Sequence, residues 1–517
     1  MKLPIPDLPR SGSRLHWPGL AGSADSALLA QIARLSSAGV TVIAASPLDA
    51  QRMATEIAWF DSSLRVCLLP DWETLPYDPF SPHPDLVSER LDTLYRVSRR
   101  DFDVLLTAAT TALYRLAPRS YLAAHAFKIR RNERLDLDQL REQLLTAGYS
   151  HVQQVLAPGE YALRGGLIDL FPSGSALPFR IDLLDAEIEP IKTFDIDSQR
   201  SLYPVPEIHL LPAREFPLDE TGRSRFRSRF RERFEGDPSR THLYKDVSNG
   251  IAPAGIEYYL PLFFSETETL IDYLPADGLL VLHGAVDAAI DEFWKDARER
   301  HRLLGGDRSR PVLPPDELFL DAEQFFRATH AFARCTIRND VTESADSAGA
   351  EAGVLTLPTG DLAIDRRAED PLHRLRSRLQ TFPGRVLIVA ESPGRRETVP
   401  EMLALHKLPA EPCEHFADWS KAASRLAITI GPLAAGFRLA DDSALIVTET
   451  ELYATAPRLR QRRRDGRPSP VDAWLRDLTE LKIGDPVVHV DHGIGRYHGL
   501  RHLDLGEGET EFLELEY

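Results

Sequence analysis

Residues 159–171 read GEYALRGGLIDLF, followed by the turn PSGSALP (172–178) and a second apolar run, FRIDLLDAEIEPIKTF (179–194). β-Branched, aromatic and other apolar residues fill the two runs. Pro172, Gly174 and Pro178 punctuate them, which predicts an antiparallel meander. A hairpin turning near Gly174–Ser175 sets Arg180 roughly opposite Asp169. Arg164 and Arg180 are basic residues on short strands whose neighbours are mostly apolar or acidic. One reading is a cross-strand ion pair on a solvated face, stabilising by a few tenths to about 1 kcal/mol. The other is a sheet face that binds a partner. Spacing alone leaves both open.

On the N-terminal side of the meander, residues 38–116 alternate strand and helix signals. Val40–Ala45 (VTVIAA), Arg65–Leu69 and Asp103–Thr107 (DVLLT) read as strands. Pro47–Phe60 and Leu86–Val97 read as helices, the first with Leu48, Met53, Ile57 and Phe60 along one side. This order predicts right-handed crossovers and a parallel sheet with helices on its faces, the layout of a nucleotide-binding domain. Such a domain holds phosphate on Gly-x-x-x-x-Gly-Lys-Ser/Thr, whose amides cradle the phosphates and whose lysine reaches the β- and γ-phosphates. Here the corresponding junction is LHWPGLAGSADSALLAQI. Gly19 and Gly22 remain, but Ser23, Ala24 and Asp25 follow, and no lysine lies between Lys2 and Lys128. An aspartate near the helix start suits an N-cap and repels phosphate. The expectation is a loop without ATP binding, and no ATPase activity in this chain.

Further signals are equivocal in isolation. Trp72, Tyr77 and Phe80, in LPDWETLPYDPFSPHPDLVSERL, can stack on bases or pack within their own domain. Arg223–Phe234 (RSRFRSRFRERF) places Phe226, Phe230 and Phe234 on one stripe. Its arginines either meet phosphate or snorkel on a solvated face. AGIEYYLPLFF (254–264) reads as a buried connection. Residues 341–369 are acidic and small, a linker. A second small α/β pattern follows, with a helix over 371–380 and strands Arg385–Ala390, Ala427–Ile430 and Leu445–Thr448. Another helix starts at Ser392–Pro393, where ESPGRRE offers an anion site at most as a minor reading. PRLRQRRRDGRPSP (457–470) reads as a basic, flexible hinge, with nonspecific DNA attraction as the other reading. The last segment has strand signals at Val487–Val490 and Ile494–Leu500, and ETEFLELEY ends in mid-strand. His489, His492 and His498 flank Gly-rich turns and lack the partner spacing of a metal set.

Composition bounds the function. The chain has 517 residues, 43% hydrophobic and 27% charged, with a net charge of −17. That balance is globular and argues against a DNA-coating protein. Cys67, Cys335 and Cys413 are far apart and odd in number, which fits a reducing compartment. There is no secretory signal and no apolar run long enough to span a membrane. A cytoplasmic location and no membrane partner are expected.

GEYALRGGLIDLFPSG with FRIDLLDAEIEPIKTFD resembles the UvrA-binding module shared by UvrB and the bacterial transcription-repair coupling factors. LPDWETLPYDPFSPHPDL, AGIEYYLPLFFSE and IGDPVVHVDHGIGRYHG resemble further parts of the latter family, in matching order over nearly the whole chain. The missing lysine points to that family rather than to UvrB. The resemblance implies UvrA contacts by Arg164, by Arg180 and by Leu184, which sits where many members carry an aromatic. It also implies a CarD-like module that docks edge-on to the RNA polymerase β subunit, with Leu500 and Leu503 in the contacting strand and turn. The implied fold is α/β multidomain: a degenerate RecA-like parallel sheet (1–126 and 213–345) with an inserted α+β UvrA-binding module (127–212). A second small α/β domain (346–456), a basic linker (457–480) and a truncated small β-barrel (481–517) follow. The implied function is an adaptor in transcription-coupled DNA repair, without cofactor in this segment. ATP, Mg and double-stranded DNA are expected to belong to a helicase motor elsewhere in the parent protein. The alternatives are a UvrB-like repair helicase subunit, and a CarD-like regulator that accounts for only the last forty or so residues.

Overall fold

The computed structural model describes residues 3–17, 20–184, 186–338, 355–364, 368–391, 399–400, 403–419, 424–453, 486–489, 493–504 and 509–516. Gly19, most of the acidic linker, the Ser392–Pro393 helix start, the basic hinge and His492 lie outside them. The chain divides into two compact units, Met1–Ala454 and Thr455–Tyr517.

The first unit is built on a six-stranded sheet in the order Arg14–Trp17, Ala333–Ile337, Leu279–His283, Val40–Ala44, Val104–Ala108, Val66–Leu69. Every neighbouring pair in it is parallel. VTVIA, VLLTA and LLVLH are buried at every position, as strands covered on both faces must be. Alternate residues feed two cores. Val40, Val42 and Val281 meet the helices Ala24–Ala33 and Pro47–Phe60, while Ile43, Leu105 and Leu280 meet Pro84–Ser98 and Val286–Leu304. Helix Pro47–Phe60 starts where Ser46 accepts the Asp49 amide, with proline at its first turn. Ala50, Met53, Ile57 and Phe60 form its buried side. Leu48, expected on that side, is 78% exposed, because it lies in the first turn, out of phase with the 50–53–57–60 stripe.

The chain leaves this sheet after Val104–Ala108 and rejoins it at Leu279–His283. Between them, Ser201–Val205, Glu187–Phe194, Phe179–Leu184, Leu167–Phe171, Glu160–Arg164 and Ser150–His151 form a second six-stranded sheet. It is antiparallel except at its last pair. Helix Leu137–Thr146 packs on one face through Leu140 and Leu144. The expected hairpin register holds, with Arg180 opposite Asp169. Gly174 makes the turn at φ +81°, and a Cβ there would lie 2.9 Å from Asp92 Cβ. Its amide donates to Ser88 Oγ at 2.7 Å. This turn therefore seats the second sheet on helix Pro84–Ser98, and needs glycine for both conformation and approach.

The equivocal aromatic and arginine stretches resolve as packing. Trp72 and Tyr77 are buried, Tyr77 donating to Leu313 O at 2.9 Å, while Phe80 is exposed. On helix Glu220–Arg233, Phe226 and Phe230 are buried. Its arginines each hold an acceptor: Arg223 and Arg227 on Glu220, Arg225 on Phe263 O, Arg229 on Pro261 O and Ser265 O, Arg231 on Arg227 O, and Arg233 on Glu317. Residues Ile256–Leu262 form a buried 3₁₀ turn.

A third sheet runs Thr356–Leu357, Phe437–Leu439, Ala444–Thr448, Arg385–Ala390, Leu426–Ile430, Glu411–Pro412. Its centre is parallel and its Phe437–Leu439 side antiparallel. Leu387, Val389, Phe437 and Ile446 share one core with Leu28, Met53 and Ile57, so the second α/β domain and the first sheet are packed as one body. The second unit is a three-stranded antiparallel sheet of Pro486–His489, Gly493–Asp504 and Glu509–Glu516. Its middle strand is longer than the expected Ile494–Leu500.

Within the first unit, Arg90 ties helix Pro84–Ser98 to the segments around Pro70 and Glu215. It is buried, donates to Glu215 Oε1 at 2.6 Å and to Pro70 O at 2.8 Å, and lies 5.1 Å from the Trp72 ring centroid. Replacing it with alanine strands a buried carboxylate. Arg90→Ala should lose about 3–5 kcal/mol in urea unfolding, and Arg90→Met with Glu215→Leu much less. Equal losses would show that the charge pair is not the cause.

Candidate partner-binding surfaces

The meander has an inner face, packed on helix Leu137–Thr146 through Tyr161, Ile168, Leu170, Ile181 and Ile191. On the outer face, alternation and register set Ala162 and Arg164 beside Leu167, Asp169 and Arg180. The two expected arginines share this face but differ in state. Arg164 is exposed and donates from Nη2 to Gln153 O at 2.7 Å. Arg180 is only 16% exposed and grips Asp169, 1% exposed, with Nε and Nη2 at 2.7 and 2.9 Å. Its Nη1 donates to Gln199 O at 3.0 Å, and its guanidinium lies 4.7 Å from the Phe194 ring centroid. The Asp169 hydrogen bonds raise the Arg180 pKa above its usual value.

Arg180 is therefore largely covered on this face. The cover comes from Val152, Val155 and Ile196, which pack with Ala162, Phe171 and Phe194 over that end of the face. The other end is open. Leu184, at the end of its strand opposite Glu187, is 64% exposed. A register shift lies between Ile181 and Leu183. Leu156, and Leu202 with Tyr203 on the edge strand Ser201–Val205, are exposed apolar residues of the same module that sequence reasoning missed. The one signal for the last two was an apolar pair beside Pro204, which marks an edge.

The phosphate-type loop is closed. The Ser23 amide, at the start of helix Ala24–Ala33, donates to Ala435 O at 3.0 Å. Gly22 has φ +55°, and a Cβ there would lie 2.3 Å from Gly436 O. Backbone from the third sheet thus sits where a phosphate would. Asp25 does not cap the helix. It is buried and accepts from Arg52 Nη2 at 2.7 Å and pairs with His283 Nε2 at 2.9 Å. Burial pushes its pKa up, but the His283 and Arg52 contacts outweigh burial and hold it well below the carboxylate range. Buried Glu56 accepts from Ser23 Oγ, Ser26 Oγ, Arg52 Nη1 and the Ala434 amide at 2.7, 2.6, 2.7 and 2.9 Å. Two carboxylates and a carbonyl oxygen therefore face any incoming phosphate.

In the second unit, Leu500 pairs with Leu513 and Leu503 with Thr510 along the long antiparallel ladder; their side chains lie outside the described residues. His498 Nε2 meets Glu516 Oε2 at 2.7 Å. Cys67, Cys335 and Cys413 are buried free thiols. No described helix is long and apolar enough to cross a membrane.

The Arg180–Asp169 geometry sets a stability test. Arg180→Ala leaves a buried carboxylate without its cation and should cost about 3 kcal/mol of unfolding free energy. A loss under about 1 kcal/mol, the exposed-pair value, would contradict the burial described.

Comparison with known proteins gives three matches along the chain. Residues 127–216 match the UvrB interaction domain, 379–452 the D3 domain of MFD, and 481–517 the CarD-like/TRCF RID domain. The transcription-repair-coupling factor of Escherichia coli (strain K12) is 41% identical over 98% of this chain and 44% of its own length. That of Haemophilus influenzae is 38% identical over 96% of this chain and 43% of its own. That of Bacillus subtilis (strain 168) is 24% identical over 96% and 43%. The chain spans less than half the length of these relatives. With three domain types in order and alignment over nearly all its residues, the chain belongs to the transcription-repair-coupling factor family.

Proposed function

We propose that this chain is an adaptor in transcription-coupled DNA repair, with UvrA bound by the meander module and the RNA polymerase β subunit bound by residues 481–517. The observation that carries this reading is the presence of both a UvrB interaction domain and a CarD-like/TRCF RID domain in one chain. On this reading the six-stranded parallel sheet is a RecA-like domain that has lost its nucleotide, and residues 481–517 belong to a small β-barrel. The UvrA contact runs over the open end of the outer face, through Arg164 and Leu184, with Arg180 shaping that surface from beneath its cover. Leu500 and Leu503, on the middle strand Gly493–Asp504, are the proposed polymerase-side residues, and strand addition to a partner's sheet then falls to an edge strand of that sheet. ATP-driven translocation on double-stranded DNA is assigned to parts of the relatives that this chain does not span. The proposed location is the cytoplasm.

A pull-down with UvrA and with polymerase β subunit, side by side, tests the assignment. Arg164→Ala with Leu184→Arg should weaken UvrA binding by about thirtyfold or more, since an interfacial charge pair lost on one side costs about 2–5 kcal/mol. Both positions are exposed, so the melting temperature should stay within about 2 °C. Leu503→Arg should lose polymerase binding and keep UvrA. Unchanged UvrA affinity in the double variant would remove the surface.

The closed loop predicts no response to nucleotide. Purified chain should show neither DNA-stimulated ATPase nor a melting shift in millimolar Mg–ATP. Either response would favour the UvrB-like helicase reading instead.

A further inference from the structure

The chain carries a net charge of −17, yet one edge of its first sheet gathers cations without acids to match. Arg14 and Arg334 are direct register partners on the parallel strands Arg14–Trp17 and Ala333–Ile337. Like charges so placed repel and destabilise the pair. Among the described residues neither has an ion-pair partner. Arg14 spends its Nε on Thr336 Oγ1 at 3.1 Å, and Arg334 Nε is buried with no hydrogen-bond partner. Arg338, two residues beyond Thr336, projects from the same face.

Arg14, Thr336 and Arg338, with Gly284, Val286 and Asp287 among others, line a concavity of about 240 Å³. It lies at the carboxyl ends of strands Leu279–His283 and Ala333–Ile337, where ligands of parallel sheets bind. The 19-residue helix Val286–Leu304 begins there, and its N-cap, Ala285, has no side chain to cap it. First-turn amides and the helix dipole thus add to the positive field. The one acid in the lining, Asp287, pairs with Arg338 at 3.2 Å, both half exposed. Against Arg14 and Arg338 it leaves a net charge of +1 in the lining, with Arg334 beside Arg14 on the neighbouring strand. The field is felt locally. Partial burial, Arg14 and Arg338 lower the His16 pKa, and partial burial and Arg14 lower that of Arg334.

We propose that this concavity binds a phosphate group, held by Arg14, Arg338 and the start of helix Val286–Leu304. An oxyanion there relieves the Arg14–Arg334 repulsion, and an arginine fork suits its geometry. This site is separate from the closed loop at Gly22–Asp25 and does not rest on the repair reading. Its phosphate can come from a free polyphosphate or from a nucleic-acid backbone.

The whole 517-residue chain and Arg14→Gln/Arg338→Gln should be compared by two probes. The first is sodium pyrophosphate, read as melting temperature against sodium chloride of matched ionic strength. The second is a labelled 20-base-pair duplex, read by anisotropy over a salt series. The wild type should be stabilised by pyrophosphate by several degrees, and the double variant should not respond. Duplex binding whose log–log salt slope falls by about 2 in the variant, near 0.9 per phosphate contact, identifies a backbone source. Pyrophosphate binding without duplex binding identifies a free ligand. Arg14→Gln alone should melt no lower than wild type without ligand, since it removes a repulsion. If the double variant melts early, Arg338→Gln alone repeats the comparison. Binding of neither probe, or equal binding by wild type and variant, overturns the proposal.

Discussion

One buried polar cluster holds the first unit together. Arg52 reaches Asp25 and Glu56, His283 closes on Asp25 from the central strand, and Glu56 accepts the Ala434 amide from the third sheet. Two helices, a strand of the first sheet and a loop of the third sheet meet there. A buried carboxylate is costly unless its lone pairs are filled. Glu56 fills its own with two serine hydroxyls, a guanidinium and a backbone amide. The junction that nucleotide-binding domains use for phosphate serves here to dock one domain on another. Lysine is absent from the loop, and its two carboxylates are satisfied from within. The carboxylates at this junction supply the acceptors for an internal joint, and Trp59 extends that joint by donating to Ile430 O at 2.8 Å.

The meander shows the complementary division of labour. Its outer face is not one surface. Near Phe194 it is roofed by Val152, Val155 and Ile196, and Arg180 works as a buried clamp on Asp169. Near the Arg164 and Leu184 ends it is bare. On the proposed reading, such a face gains rigidity from the clamp and keeps the proposed contact residues at the strand ends. Preorganised in this way, the open end loses little freedom on meeting a partner.

Much of this was legible in the sequence. VTVIA and VLLTA are short, wholly apolar runs, so their parallel, doubly covered strands follow from composition. The Gly174 turn fixed the Arg180–Asp169 register, because period-two alternation admits few pairings. Three features were not legible, for different reasons. Asp25 and His283 are 258 residues apart, and Glu56 and Ala434 are 378 apart. Local pattern carries no trace of such meetings. The cover over Arg180 comes from Val152, Val155 and Ile196, in connections whose path the alternation of strands does not specify. Leu48 looked like a core residue because helical periodicity was extended one turn too far toward the N-terminus. Roles drawn from resemblance inherit the same blindness. They marked Arg180 as a site residue but not whether its charge faces a partner or its own sheet.

The central claim is that one nucleotide-free chain joins two partners through separate surfaces. Mass photometry of the chain mixed with UvrA and isolated polymerase β subunit tests it directly. The account predicts a complex containing all three proteins, formed without ATP. Binary complexes that exclude one another would contradict it.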